Sequence, residues 1–395
     1  MVKKRLQGIV LVLIAFMLGC NEFIIVGILS DVSRQFGQSV ATVGYLVTLF
    51  ALAYAISTPI INVMISRFNR YKSLACLMVI FIIGNTYSAM ADSYAQLVIS
   101  RIIAALTAGS IISLCLAFAT VIAPIGKRAF LVSWIFSGFS IASVFGVPIG
   151  TAISTNWGWR YSFYAITIVS IIAFIAMLWL LPRKVPQTKS SLLKQLTICK
   201  DPRIIFGVLL AMFSAAGSYV IFTYLRPIMT QSLGFPISGI SLLLFLYGVT
   251  SIISNQLSGF IATKYGLRKM PLIYLIQTIV FVLLPISLVN QWIGLTDLLI
   301  VGLLMYLLNS PIQIHFLNVA EHDYPQSLVL ASSFNSIFFN FGISIGSAAG
   351  ALIVAHSRLG WTGVGAAVFA GISIVLSAML IRSNSQTHMI KSTGK

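Results

Sequence analysis

Long apolar runs separated by short polar turns set the organisation of this chain. A helix that crosses a bilayer needs about 20 predominantly apolar residues. That window finds twelve segments, near 7–29, 41–65, 73–91, 95–122, 129–153, 160–181, 204–226, 237–262, 270–290, 295–318, 327–354 and 360–382. Lys3, Lys4 and Arg5 ahead of the first run resemble the start of a signal peptide. The run is too long for one, contains a glutamate and ends without a small-residue cleavage site. It is read as a retained first helix.

The polar turns carry an asymmetry of charge. With the N-terminus inside and loops assigned alternately, 20 of the 25 Lys and Arg residues fall on the inner side and four outside: Arg34, Arg160, Arg226 and Arg358. Arg101 falls within a helix. An inner excess of cations is the orientation signal of helical membrane proteins, so both termini are expected in the cytoplasm. The longest polar stretch, 182–203, divides the chain near its middle. Within it Ser191 opens a short amphipathic run (Leu192, Leu193, Leu196, Ile198) among lysines. That run suits either an anionic membrane surface or a plain tether.

The halves resemble each other. Asn62–Lys72 (NVMISRFNRYK) and Gly259–Lys269 (GFIATKYGLRK) are 197 positions apart. Phe36-Gly37 and Leu233-Gly234 repeat at 197, Phe145–Ile153 and Ile345–Ile353 at 200, and Gly158-Trp159 and Gly360-Trp361 at 202. Parallel repeats of six helices place a substrate site at the interface of the halves. The predicted organisation is an all-α polytopic membrane protein of two six-helix bundles, 1–181 and 204–395, joined by the linker 182–203.

Composition excludes the other classes. Of 395 residues, 58% are hydrophobic and 8% charged, against about a quarter charged in soluble domains, and the mean hydropathy is +1.00. A net charge of +18 would suggest nucleic acid in a soluble protein; here it records orientation, and no nucleic-acid partner is expected. Cys20, Cys76, Cys115 and Cys199 show no paired spacing, so neither a disulfide nor a metal site is expected. There is no phosphate-binding loop and no catalytic Ser–His–Asp set. The chain is not expected to be an enzyme or to hold a cofactor. A carrier driven by an ion gradient fits what remains.

Of seven acids, Glu22 alone falls inside a predicted span; Asp31, Asp92, Asp201, Asp297, Glu321 and Asp323 fall at helix ends or in loops. Glu22 is seven residues short of Leu29, about 10 Å below the outer end, deep for a short side chain to reach water. An intramembrane carboxyl is costly to keep charged and marks a proton or substrate site. Arg101 lies at similar depth on helix 4, so the two could pair if both face one cavity, with protonation of Glu22 as the switch. The alternative for Arg101 is reaching interfacial phosphates. Gly138, Gly146, Pro148 and Gly150 on helix 5 suit close helix packing or conformational switching. Tyr219, Phe222 and Tyr224 on helix 7, with Asn21, Asn255, Asn309 and Gln313, are candidate cavity contacts; Tyr224 suits an interfacial belt equally. Tyr219 stands 197 positions after Glu22. His315, near the inner end of helix 10, is read as structural.

These residues together resemble the major facilitator superfamily, in particular its twelve-helix drug:proton antiporter group, over almost the whole chain. Asn21-Glu22-Phe23, Gly27-Ile28-Leu29, Asp31 and Phe36-Gly37 resemble the arabinose- and sugar-efflux permease branch. Gly146-Val147-Pro148-Ile149-Gly150 resembles the antiporter signature of helix 5. Arg101 matches the arginine of the helix 4 motif, and Trp157–Arg160 with Phe163 resembles the entry to helix 6. The helix 2–3 loop keeps Arg67, Arg70 and Lys72 but has Asn62, Ser66 and Asn69 where the motif carries two glycines and an aspartate. The second copy keeps Gly259, Gly266, Arg268 and Lys269. The helix 4 motif has Ala104 and Ala105 for its glutamine and first glycine.

The resemblance implies a monomeric, multi-pass carrier in the inner (plasma) membrane. Helices 1, 4, 7 and 10 would line its cavity. It would exchange protons for a small organic molecule, a sugar or sugar analogue or an amphipathic drug, by alternating access. Glu22, Arg101 and Asp31 would handle protons, and the two loop motifs would take part in switching. Import or uniport on the same fold, and a ligand sensor that does not transport, are the alternatives.

Overall fold

The computed structural model describes residues 2–124, 128–183 and 196–393. Twelve helices in it are long and apolar enough to cross a membrane: α1 Lys3–Phe36, α2 Val40–Ile65, α3 Arg70–Ala89, α4 Tyr94–Ile122, α5 Leu131–Trp157, α6 Trp159–Leu180, α7 Pro202–Ser232, α8 Ile237–Lys264, α9 Met270–Ser287, α10 Gln291–Asp323, α11 Leu330–His356 and α12 Leu359–Gln386. The amphipathic run expected from 191 lies mostly outside the described residues; its end, Leu196–Lys200, is a 3-10 turn. Several helices outrun their apolar windows. α1 continues to Phe36, past Asp31 and Arg34, which pair at 2.7 Å.

The chain forms two compact units. Residues 1–189, 223–231 and 235–249 make the first; 190–222, 232–234 and 250–395 make the second. In the first, Leu11, Ile14 and Leu18 of α1 share a buried core with Phe50 and Tyr54 of α2, Met78 and Phe81 of α3 and Ile111 and Phe118 of α4. In the second, Ile204 and Ala211 of α7 are buried with Tyr274 of α9, Ile312 and Phe316 of α10 and Phe334 of α11. Outward faces are apolar as well, with Ile60, Ile172, Ile276 and Val375 exposed. Exposed aliphatic side chains are what a helix surface needs against lipid.

The repeat is visible in backbone conformation. Gly37 and Gly234, 197 positions apart, both take positive φ, 61° and 71°, at the ends of α1 and α7. A side chain would be strained there. Gly266, after α8, also has φ of 55°, but its counterpart Asn69 has φ of −58°. Asn69 instead caps α3, its Oδ1 accepting from the backbone N–H of Tyr71 and of Lys72. Asparagine is therefore accommodated where the repeat has glycine.

Among the described residues three spans are irregular. α5 holds a π turn at Ala142–Gly146, ending two residues before Pro148, which has no N–H to continue the ladder. α7 is interrupted at Thr223-Tyr224 and α10 between Leu304 and Asn309. Freed backbone groups at membrane depth need new partners. At the α10 break they come from α8: Ser254 Oγ accepts from Tyr306 N–H at 3.0 Å and Ser258 Oγ from Ser310 N–H at 2.9 Å.

Candidate functional site

Two polar constellations lie within the first unit, both built on α1. The deeper one surrounds Arg101. Ser93 caps α4, and two turns on, the Arg101 side chain is completely buried. Its Nη1 donates to Asn21 Oδ1 at 2.7 Å, and its guanidinium lies over the Phe50 ring, 4.2 Å from the centroid. Asn21 passes its own amide hydrogen to Asn85 Oδ1 on α3. Asn85 in turn donates to Thr167 Oγ1 at 2.8 Å and to the Phe163 carbonyl at 3.0 Å, both on α6. A single chain of hydrogen bonds thus runs α4–α1–α3–α6. Buried polar networks of this kind fix geometry when every member is satisfied. Arg101 is the exception: its Nε and Nη2 are buried with no hydrogen-bond partner among the described residues.

Glu22 follows Asn21 directly. It is the half-buried position in a run where Asn21 and Phe23 to Leu29 are all buried. The expected Glu22–Arg101 ion pair is not formed: among the described residues no salt bridge within 4 Å joins them, and Arg101 is bonded to Asn21 instead. Among the described residues no hydrogen bond engages the Glu22 carboxylate. The group keeps accessible surface beside a buried cation that retains unused donors, an arrangement that leaves it open to a proton or a ligand.

The second constellation closes the outer end of α1. Asp31 accepts from Arg226 twice, Oδ2 from Nη1 at 2.6 Å and Oδ1 from Nη2 at 3.0 Å. It also accepts from Ser154 Oγ of α5 at 2.5 Å and from Arg34 at 2.7 Å. Arg226 Nη1 reaches the Gly27 carbonyl as well. Arg226 is 1% exposed, so its place among the outer-loop cations is corrected. It is a buried cation within α7, and Asp31 is its partner inside α1. Tyr224, two residues before it, is fully buried, with its hydroxyl where a Cβ on residue 44 would stand. The belt reading of Tyr224 is therefore wrong: it is packed against Gly44 of α2. The hydropathy window ends at 226, which put Arg226 at the outer loop, whereas α7 continues past its interruption to Ser232.

Other candidates fall into place by packing. Gly138, Gly146 and Gly150 face Ala15, Cys20 and Ile24, seating α5 closely on α1. Asn21, expected as a substrate contact, is fully buried and spends its amide on Arg101 and Asn85; its geometry is that of a positioning residue. Arg67 and Arg70 flank the α2–α3 turn without an acidic partner among the described residues, and Arg268 is exposed after Gly266.

Within the second unit, Tyr219 lies edge-on to Phe222 at 5.2 Å and to Phe339 at 6.0 Å, and Tyr306 stacks on Phe339. Tyr219 and Phe222 are buried in this conformation. Asn255, Asn309 and Gln313 keep partial exposure. Asn309 Nδ2 donates to Asn255 Oδ1 at 3.4 Å and Gln313 to the Ser332 carbonyl at 3.3 Å. Asn309 opens the helix after the α10 break. At the start of α7, Arg203 joins Asp201 and Asp323, each at 2.6 Å, and His315 meets the Arg203 carbonyl at 3.2 Å. Burial pushes the Asp201 carboxyl up, but the hydrogen bonds and charge of Arg203 outweigh it and hold it below the usual carboxylate range. Sequence reading missed Asn85, Thr167, Ser154 and Arg226 as site residues. A lone Asn within an apolar span was the available signal for Asn85.

Comparison with known proteins agrees with this architecture. The profile of the Major Facilitator Superfamily matches residues 11–325 and again 207–394. The chain is 33% identical over 367 residues to the uncharacterized MFS-type transporter YtbD of Bacillus subtilis, covering 91% of this chain and 93% of that protein. It is 27% identical over 374 residues to the inner membrane transport protein YdhP of Escherichia coli, covering 94% and 95%. Among solved structures, a bacterial homolog of the human lysosomal transporter Spinster, inward-facing and occupied, matches with a TM-score of 0.76 at 16% identity over 95% of this chain and 96% of that one. A D-xylose–proton symporter matches with 0.76 at 17% identity over 94% and 96%.

Proposed function

The chain belongs to the major facilitator superfamily, a family of membrane transporters, and we propose that it exports a small organic molecule across the inner membrane in exchange for protons. The repeats 1–181 and 204–395, joined by 182–203, act as its two moving bundles, with both termini in the cytoplasm. The observation that carries this reading is Glu22: an acid in the span of α1, partly accessible, one residue from the asparagine that holds a buried arginine. Glu22 is the proton carrier. Arg101, fixed by Asn21, sets when the proton is taken up. Asn255, Asn309 and Gln313 supply polar contacts to substrate, and Tyr219 and Phe222 an aromatic wall beside them. The substrate class is a sugar or sugar analogue, or an amphipathic drug. Resemblance of the Gly146–Gly150 segment to the antiporter signature supports export.

The test is proton flux in liposomes reconstituted with the protein, screened over candidate sugars and drugs, for wild type and Glu22→Gln. A transported substrate moves protons in the opposite direction with wild type, and Glu22→Gln abolishes that flux while substrate binding persists. Equal flux in both proteins removes Glu22 from the mechanism; transport with no proton movement makes the protein a uniporter.

A further inference from the structure

A polar cavity of about 630 Å³ opens at the end of the first unit opposite Asp31. It is lined by Lys3 and Gln7 of α1 and by the exit from α6, including Trp179, Pro182 and Arg183. Lys3 and Arg183 are exposed, and Trp179 is 83% exposed beside them. The α6 terminus would ordinarily attract these cations, because its last carbonyls lack helical partners. Here uncharged donors have taken that place. Gln7 Nε2 donates to the Leu180 carbonyl at 2.7 Å and Tyr71 Oη to the Leu178 carbonyl at 2.9 Å. Asn69 Nδ2 donates to the Arg183 carbonyl, which brings the turn bearing Arg67, Arg70 and Lys72 to the same segment.

Among the described residues of the first unit no acid forms an ion pair at this end. The acids of the unit are Glu22, Asp31 and Asp92. Glu22 is about 28 Å of helix from Lys3, and Asp92 follows the far end of α3. None of Lys3, Arg67, Arg70, Lys72 and Arg183 forms an ion pair among the described residues. By contrast, Arg203 in the second unit is matched by two aspartates. A cavity walled by two unneutralised cations, with an exposed tryptophan at the end of a span, has the chemistry of an interfacial phosphate site.

We propose that this cavity binds the phosphate-bearing headgroup of an anionic phospholipid, held by Lys3 and Arg183, with Trp179 at the acyl boundary. The site is independent of the transported substrate. Free phosphate shares the charge but has no use for the tryptophan, which is why the lipid is the assigned ligand.

The experiment uses the full chain, delipidated in an uncharged detergent, with lipid retention followed by native mass spectrometry. Phosphatidylglycerol, phosphatidylcholine and inorganic phosphate are titrated against wild type, Lys3→Gln/Arg183→Gln and the equally depleted control Lys264→Gln/Lys269→Gln. Wild type and control are expected to retain one phosphatidylglycerol at equal concentrations, and the Lys3/Arg183 variant to need about 30-fold more, since each cation near an anionic lipid contributes about fivefold. Brominated phosphatidylglycerol should quench a fluorescence component that Trp179→Phe removes, and all five substituted positions are exposed, so folding is unaffected. Equal weakening in the control pair would show diffuse attraction and overturn the proposal. So would equal retention of phosphatidylcholine, displacement by millimolar inorganic phosphate, or quenching that survives Trp179→Phe.

Discussion

Asp31 and Arg226, 195 residues apart, are joined by two hydrogen bonds of 2.6 and 3.0 Å, with Arg226 1% exposed. The pair fastens the outer part of α7 to α1, and Ser154 extends the fastening to α5. In low-dielectric surroundings such a pair stabilises weakly when intact but leaves an uncompensated charge when one partner is removed. Arg226→Gln should therefore destabilise the protein by about 3 kcal/mol, read as a lower melting temperature in detergent. Arg226→Lys should fall between, because an ammonium cannot make the two parallel bonds of a guanidinium. Asp31→Arg/Arg226→Asp should recover part of the loss; no recovery would mean that the Gly27 carbonyl and Ser154, not the charge pair, hold this end.

Asn85 should control Arg101 from a distance. Asn85→Leu removes the acceptor for Asn21 and leaves polar groups unmet in the core, a loss of about 1–3 kcal/mol. In a transport assay it should also shift the pH profile of proton uptake in the same sense as Asn21→Ala, because both loosen the hold on Arg101. A drop in melting temperature with an unmoved pH profile would make Asn85 a packing residue only.

What could be read from the chain and what could not divides along physical lines. The twelve spans were legible because a bilayer demands length and apolarity that nothing else in the sequence imitates. Glu22 and Arg101 were legible because charge inside such a span is rare. Their relationship was not: spacing gives depth but not rotation about the helix axis, and Arg101 turned out to face Asn21. Arg226 was assigned to a loop because the apolar window ends beside it, whereas α7 is interrupted at Thr223-Tyr224 and then resumes. The α10 break was invisible because Met305-Tyr306-Leu307-Leu308 contains neither proline nor glycine. Its support, two serines on α8, is a tertiary fact.

Those serines make a local prediction. Ser258→Ala leaves the Ser310 N–H without its acceptor, and Ser254→Ala does the same for Tyr306. Each should cost about 1–2 kcal/mol and speed hydrogen exchange of the peptide spanning the α10 break, with the rest of α10 unaffected. Unchanged exchange there in both variants would show that the break finds other partners.

Acid should loosen the start of α7. The Asp201 carboxyl is held below its ordinary range by Arg203. A group depressed in the folded state contributes stability above its unfolded pKa, about 3.9, and loses it as pH falls through the lower folded value. Melting temperature should thus be insensitive to this group between pH 7 and about 5 and decline below about 4. Asp201→Asn should melt lower at pH 7 and show a shallower acid decline. An acid decline as steep as wild type would place the titrating group elsewhere.

Glycines separate packing from switching. A Cβ at Gly84 of α3 would stand 2.9 Å from the backbone nitrogen of Ala104 on α4, with Ala104 Cα at 3.3 Å. Backbone atoms cannot move aside, so Gly84→Ala must spread the two helices, at a cost of about 1–3 kcal/mol. A Cβ at Gly150 would meet the end of the Ile24 side chain, which can swing away, so Gly150→Ala should be milder. At Gly259 nothing lies within 4 Å, and its place inside α8 favours alanine. Gly259→Ala should keep or slightly raise the melting temperature. Gly259 belongs to the repeated motif expected to take part in switching, and the two roles now predict different things. If Gly259→Ala melts like wild type yet transports more slowly, α8 must pass close to another helix at some stage of the cycle, a contact only a moving protein makes. If transport is also unchanged, Gly259 is dispensable and the motif acts through Gly266, Arg268 and Lys269 alone.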